Sequence, residues 1–182
     1  NNFFIRNAVF AFLIEPKPKV SEHEKLLLKS EYGVSDKKII LYFGQINQTK
    51  NLKLLIDSFL LISDKIHETV LIIAGANSSG YAAELKKYVL KYSIISKKIK
   101  IFVDLTETEK SKLYSIADIF VNPSENESYC IAAIEAIAYG LPVVLCDIPQ
   151  LSDLIENNKT GVFFEKNDIN SLKNSITRLL NE

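Results

Sequence analysis

Six short apolar runs punctuate the chain, at residues 39–43, 70–74, 99–103, 119–121, 143–145 and 161–164. They are rich in β-branched and aromatic residues and are apolar throughout rather than alternating, the pattern of strands in a parallel sheet covered on both faces. Between them the spacing becomes helical: Leu52, Leu55, Ile56, Phe59 and Ile62 fall on one face, as do Ile169, Leu172, Ile176, Leu179 and Leu180. Ser21 with Glu24, and Thr106 with Glu109, have the spacing of capping boxes that open two further helices. Strand then helix, repeated about six times, predicts an α/β fold: a doubly wound, Rossmann-like parallel sheet of about six strands with helices on both faces. Residues 3–14, followed by Pro16 and Pro18, read as an extra edge strand and a lead-in loop. With 182 residues and no internal repeat, positions 1–182 read as a single domain.

In such a sheet ligands bind beyond the carboxyl ends of the strands, which nominates the loops at 44–50, 75–79, 104–106, 122–130 and 146–150. Only 6 glycines are available to them. The dinucleotide signature G-x-G-x-x-G is absent, and the run from Gly44 to Lys50 resembles a P-loop but lacks the glycine before the lysine. Lys and Arg total 22 against 22 Asp and Glu, so no basic excess argues for nucleic acid or an anionic membrane. Cys130 and Cys146 form neither a disulfide framework nor a C-x-x-C metal spacing and read as free thiols of a reducing compartment. The longest apolar stretch, 129–146, is broken by Glu135, Gly140 and Pro142 and falls short of a membrane span. There is no Met, and Asn1 is not followed by a signal-peptide layout, so the chain reads as a piece of a longer protein.

Three charged residues in or just after these loops carry the chemical argument. Glu135 is the one carboxylate in an otherwise apolar helix, and a buried carboxylate must find a partner. That partner is either a salt bridge or backbone cap, or a vicinal diol such as a ribose, which an acidic residue grips in dinucleotide sites. Glu127 precedes it by eight positions in the polar loop Asn122-Pro-Ser-Glu-Asn-Glu-Ser-Tyr-Cys130 and would alone be read as a solvated charge. Lys50 reads as the first turn of a helix, where a cation is disfavoured unless an anion also binds. His23 and His67 lie on polar stretches and suggest no catalytic role, while Tyr129 and Tyr139 read as packing groups.

The spacing E-x7-E, from Glu127 to Glu135, runs into Ala136-Ile-Ala-Tyr-Gly140-Leu-Pro-Val-Val144. This stretch resembles the C-terminal, donor-binding domain of the retaining GT-B glycosyltransferases of family 4 (group 1), whose pattern is roughly P-S-x-x-E-G-F-G-x-x-x-x-E-A-x-A-x-G-x-P-V. Leu41-Tyr-Phe-Gly44 through Lys50, Leu54-Leu-Ile-Asp-Ser-Phe59, Gly75, the segment 113–118 and Lys159-Thr-Gly-Val-Phe163 fall in the family's order, so the likeness covers about residues 37–180.

The resemblance implies a fold that is half of a GT-B enzyme and a nucleotide-diphosphate-sugar donor, UDP- or GDP-linked, with no metal or other cofactor. Glu135 would bind the ribose, Glu127 a sugar hydroxyl, and Lys50 the diphosphate, with Lys50 and Glu127 in catalytic roles. Gly44, Gln45, Ser128, Tyr129, Cys130 and Ile131 would complete the donor site, and Gly75, Val103 and Leu105 would border the nucleobase. An N-terminal domain, absent from this chain, would bind the acceptor, a glycan or lipid-linked sugar in polysaccharide assembly. The fragment alone would then be inactive, and the whole enzyme cytoplasmic, peripheral to the membrane through the absent domain.

The sequence departs from the family pattern where phosphates would lie. The arginine after the first-strand glycine is Gln45, and glycines are replaced at Asn51, Asp104, Cys130 and Pro149-Gln150. Losing a charge-assisted bond of the arginine type removes about 1.5–3 kcal/mol, and a side chain at Cys130 narrows the approach to the sugar. These departures support a second expectation, a degenerate module that binds nucleotide or protein without catalysis. A sugar-nucleotide epimerase of the same architecture finds no supporting His or Asp in the loops, and redox chemistry lacks its glycine loop.

Overall fold

The computed structural model describes residues 16–62, 68–92, 95–156 and 159–181. Its elements run α1 (Glu22–Glu31), β1 (Lys38–Phe43), α2 (Leu52–Ile62), β2 (Thr69–Gly75), α3 (Tyr81–Val89), β3 (Ile99–Val103), α4 (Glu107–Ile116), β4 (Ile119–Asn122), α5 (Ile131–Ala138), β5 (Val143–Cys146), β6 (Gly161–Phe164) and α6 (Ile169–Asn181). All six strands pair in parallel, in the order β3-β2-β1-β4-β5-β6. The chain thus winds outward from β1 to one edge, crosses back through α4, and winds out to the other edge. The expected sheet forms, with each apolar run on a strand; the edge strand expected at 3–14, like His67, lies outside the described residues.

Burial explains why the runs do not alternate. Every residue of β2, β4 and β5 is buried, since helices cover both faces. On one face α2 packs against α6; on the other α1 and α5 flank α4, which stands over β1. The apolar faces read from spacing point inward: Leu52, Leu55, Ile56, Phe59 and Ile62 in α2, and Leu172, Ile176 and Leu180 in α6, are all buried. At the amino ends of the strands Asp118 ties the reversal together, accepting the Ile39 N–H at 2.7 Å while Lys29 lies 3.4 Å away.

The order of strands creates the site. β1 and β4 are neighbours, yet the loops leaving their carboxyl ends turn toward opposite faces, and a crevice opens between them. On the β1 side the chain is fixed by a close approach: a Cβ on Gly75 would stand 1.8 Å from the Gly44 carbonyl oxygen, so only glycine fits. The helix that returns to this crevice, α4, is capped as its sequence predicts. Thr106 Oγ1 accepts the Glu109 N–H at 3.3 Å, and Glu109 Oε2 accepts the Thr106 N–H at 2.8 Å. In α1 the Ser21 hydroxyl accepts from the Glu24 N–H. Thr106→Ala is expected to lower unfolding stability by about 1 kcal/mol, measured in guanidinium titrations; an unchanged midpoint would show the cap to be inert.

Candidate functional site

A cavity of about 590 Å³ lies at the crevice between the β1 and β4 loops. Gly44, Gln45, Lys50, Glu127, Ser128, Tyr129, Cys130, Ile131 and Glu135 all line it. Of the residues singled out in the sequence, Gly75, Val103 and Leu105 do not border it. Gly75 is buried beneath Gly44, where its missing side chain serves the backbone approach described above.

Two lysine–glutamate pairs form the polar floor. Lys50 Nζ donates to Glu127 Oε1 at 2.8 Å, and Lys110 Nζ donates to Glu135 Oε1 at the same distance. The four side chains are between 13% and 22% exposed, so each charge is largely desolvated and needs its counterion. Glu135 sits on α5 facing α4, where the Tyr114 hydroxyl lies 3.1 Å from both Glu135 Oε2 and the Ala132 carbonyl. Tyr114 in turn stacks on Tyr139, ring centroids 5.3 Å apart, which bears out Tyr139 as a packing group. Burial, reinforced by the Glu135 charge, pushes the Tyr114 phenol far above its ordinary range and keeps it a donor. Burial pulls Lys110 down, but its bonds to Glu107 and Glu135 outweigh that and raise it.

Lys50 is placed differently from the sequence expectation. It ends a one-turn 3-10 helix, Gln48–Lys50, and Asn51 separates it from α2 with a left-handed φ of 52°. It is therefore not in the first turn of α2; the break at Asn51 turns its side chain into the crevice. Tyr42 supports this loop from below by donating its hydroxyl to the Gln45 carbonyl at 2.8 Å. Gln45, exposed on the rim, accepts from Asn47 Nδ2 at 3.2 Å.

Three of the departures from glycine share a backbone conformation, while Pro149 and Gln150 lie in a 3-10 helix. Asn51, Asp104 and Cys130 have φ of 52°, 53° and 46°, a left-handed conformation that glycine adopts freely and other residues rarely. Each side chain then bonds to another segment. Asn51 Nδ2 donates to Glu125 Oε1 in the β4 loop, Asp104 Oδ1 accepts the Asn77 N–H in the β2 loop, and Cys130 Sγ accepts from Asn122 Nδ2 at the end of β4. Cys130 N-caps α5 without a side-chain cap bond; its sulfur is buried in the cavity floor, held against Asn122. Ile131 and Ala132, the first residues of α5, border the cavity, and a helix start favours an anion.

Sequence reasoning missed Lys110, Tyr42 and Asn122. Lys110 and Tyr114 lie one turn apart on the helix that the Thr106 capping box announced, which was the available signal. Asn122 was visible as the one polar residue ending an apolar strand run. His23 is exposed on α1 and away from the cavity. Among the described residues no group of three metal-ligating side chains comes together, and no helix is long and apolar enough to cross a membrane.

Comparison with known proteins gives this crevice its setting. The model of the family described as glycosyl transferases group 1 matches residues 25–182. The chain belongs to that family. This group 1 chain is 28% identical over 167 residues to an uncharacterized glycosyltransferase of Methanocaldococcus jannaschii, covering 90% of this chain and 41% of that protein. It is 24% identical over 161 residues to the capsular polysaccharide biosynthesis glycosyltransferase CapM of Staphylococcus aureus, covering 88% and 41%. The chain thus spans well under half the length of these relatives. Among solved structures, HepE of Anabaena in complex with UDP and glucose superposes with a TM-score of 0.79 at 20% identity, covering 90% of this chain and 44% of that chain. At that identity the likeness is one of fold, the Rossmann-like half of GT-B glycosyltransferases.

Cys130 and Cys146 are both buried, and burial pushes each thiol up to about 11. The thiolate is the reactive form. Iodoacetamide at pH 8 is therefore expected to leave both unmodified in the folded protein and to label both in guanidinium, as read by intact mass; fast labelling of native protein would contradict this placement.

Proposed function

We propose that this domain binds a nucleotide-diphosphate sugar and that the protein to which it belongs transfers the sugar to an acceptor with retention of configuration. The observation that carries the reading is the pair of lysine–glutamate contacts on the cavity floor. A ligand that is anionic at one point and polyhydroxylic on either side can replace both halves of such pairs. Its diphosphate takes the lysine, and its hydroxyls donate to the carboxylates.

In this reading Glu135 accepts the ribose diol, with Lys110 and Tyr114 holding its carboxylate. Lys50 and the start of α5 meet the diphosphate, and Glu127 accepts a hydroxyl of the sugar. As the glycosidic bond breaks, negative charge grows on the departing diphosphate, and fixed positive groups there lower the barrier. Lys50 is the cavity's cation on that side, since Gln45 stands where the family pattern has arginine. The nucleobase would lie beyond Gly44, toward Val103 and Leu105. HepE, of like fold, is recorded with UDP and with UDP-glucose, which favours a uridine donor as the first to test. A second domain would present the acceptor, and a glycan or lipid-linked sugar suits relatives such as CapM.

Thermal unfolding with UDP, GDP and ADP tests the reading. A ligand at about 100 times its dissociation constant adds about 2.7 kcal/mol of stability. UDP or GDP is expected to raise the melting temperature, and Glu135→Ala to remove most of that shift. Glu127→Ala is expected to weaken the sugar conjugate more than the free nucleotide. No shift with any nucleotide would favour the non-catalytic module instead.

A further inference from the structure

Asn122 is the last residue of β4, paired with Leu145 of β5, and only 4% exposed. A polar side chain so deeply buried must satisfy its donors and acceptor, and this one does so completely. Its Oδ1 accepts the Ser124 N–H at 3.1 Å, and its Nδ2 donates to Glu127 Oε1 at 3.1 Å and to Cys130 Sγ. The orientation of the amide follows from its neighbours. Ser124 N–H can only donate, so it must face oxygen, and the NH2 group is left to the carboxylate and the sulfur.

The consequence falls on Glu127. Its Oε1 accepts from both Lys50 Nζ and Asn122 Nδ2, while Oε2 accepts from no described residue. We propose that Asn122 is a positioning residue: it pins Oε1 from below so that Oε2 is the oxygen presented to a hydroxyl of the bound sugar. This rests on the nucleotide-sugar reading above. When a diphosphate draws Lys50 away from Glu127, Asn122 is the contact that remains to hold the carboxylate. Cys130 belongs to the same device, because its left-handed backbone turns the sulfur onto the second amide hydrogen rather than toward the sugar.

Asn122→Asp is the decisive substitution. It keeps the oxygen that accepts from Ser124 and replaces the NH2 with an oxygen that repels Glu127. Dissociation constants for UDP and UDP-glucose, and for GDP and GDP-mannose, are measured on wild type, Asn122→Asp, Glu127→Ala and the double variant. The wild type is expected to prefer one conjugate over its free nucleotide, and Asn122→Asp to reduce that preference about tenfold or more, free-nucleotide affinity falling much less than conjugate affinity. In the Glu127→Ala background Asn122→Asp is expected to have no further effect on the preference. Equal loss of conjugate and free nucleotide would make Asn122 a builder of the loop and overturn the proposal, as would an unchanged preference or full additivity with Glu127→Ala. Wild type that binds no nucleotide overturns the underlying reading as well, and is told apart by that result alone. Should Asn122→Asp fail to fold, Asn122→Ser, which removes the donor to Glu127 without adding charge, is read by the same ratio and the same cycle.

Discussion

Lys50 and Glu127 stand 77 positions apart in the chain and meet at 2.8 Å. They meet because β1 and β4 are neighbours in the sheet although two strands and three helices separate them in sequence. The contact also requires that the β1 loop break before α2 and that the β4 loop descend into the crevice before α5. Asn51 supplies the first condition and the Asn122–Ser124 turn the second. A largely desolvated ion pair is not in itself a strong source of stability, because the cost of removing both charges from water offsets most of their attraction. Its weight lies in the geometry it enforces, together with the Asn51–Glu125 bond, on two loops far apart in the chain.

The second pair depends on a different chain of causes. The Thr106 cap fixes where α4 begins, and that start sets the rotation of the helix. The rotation directs Lys110 and Tyr114, one turn apart, toward Glu135 on α5. Tyr114 is wedged between Tyr139 and Phe120, so its hydroxyl has little freedom to leave the carboxylate. A cap made by two side chains at the surface thereby reaches the floor of the cavity.

The strands were legible because burial on both faces leaves a continuous apolar signature, and each run of the sequence lies on the strand found there. Their order was not legible in the residues themselves, since runs covered on both faces carry no mark of which neighbour each one takes. Around the crevice, Glu135 was conspicuous as a lone charge in an apolar helix, and the structure gives it the salt bridge and hydroxyl that its burial demanded. Lys50 was misjudged as part of α2 because Asn51 was not read as a left-handed turn, although asparagine adopts that conformation more readily than most residues. Lys110 was overlooked because a lysine on a capped, polar helix looks like every other solvated lysine until the packing of α4 on α5 is known.

The side chains at Asn51, Asp104 and Cys130 give the crevice a property that glycines would not. Each carries a glycine-like backbone but adds an arm that stitches one segment to another: the β1 loop to the β4 loop, the β3 loop to the β2 loop, and the start of α5 to the end of β4. Segments joined in this way have fewer alternative arrangements to surrender when a ligand arrives. Ordering a flexible side chain at an interface costs about 0.5–1.5 kcal/mol, and stitches formed in advance spare part of that cost at the moment of binding. Such stitches trade adaptability of the backbone for readiness.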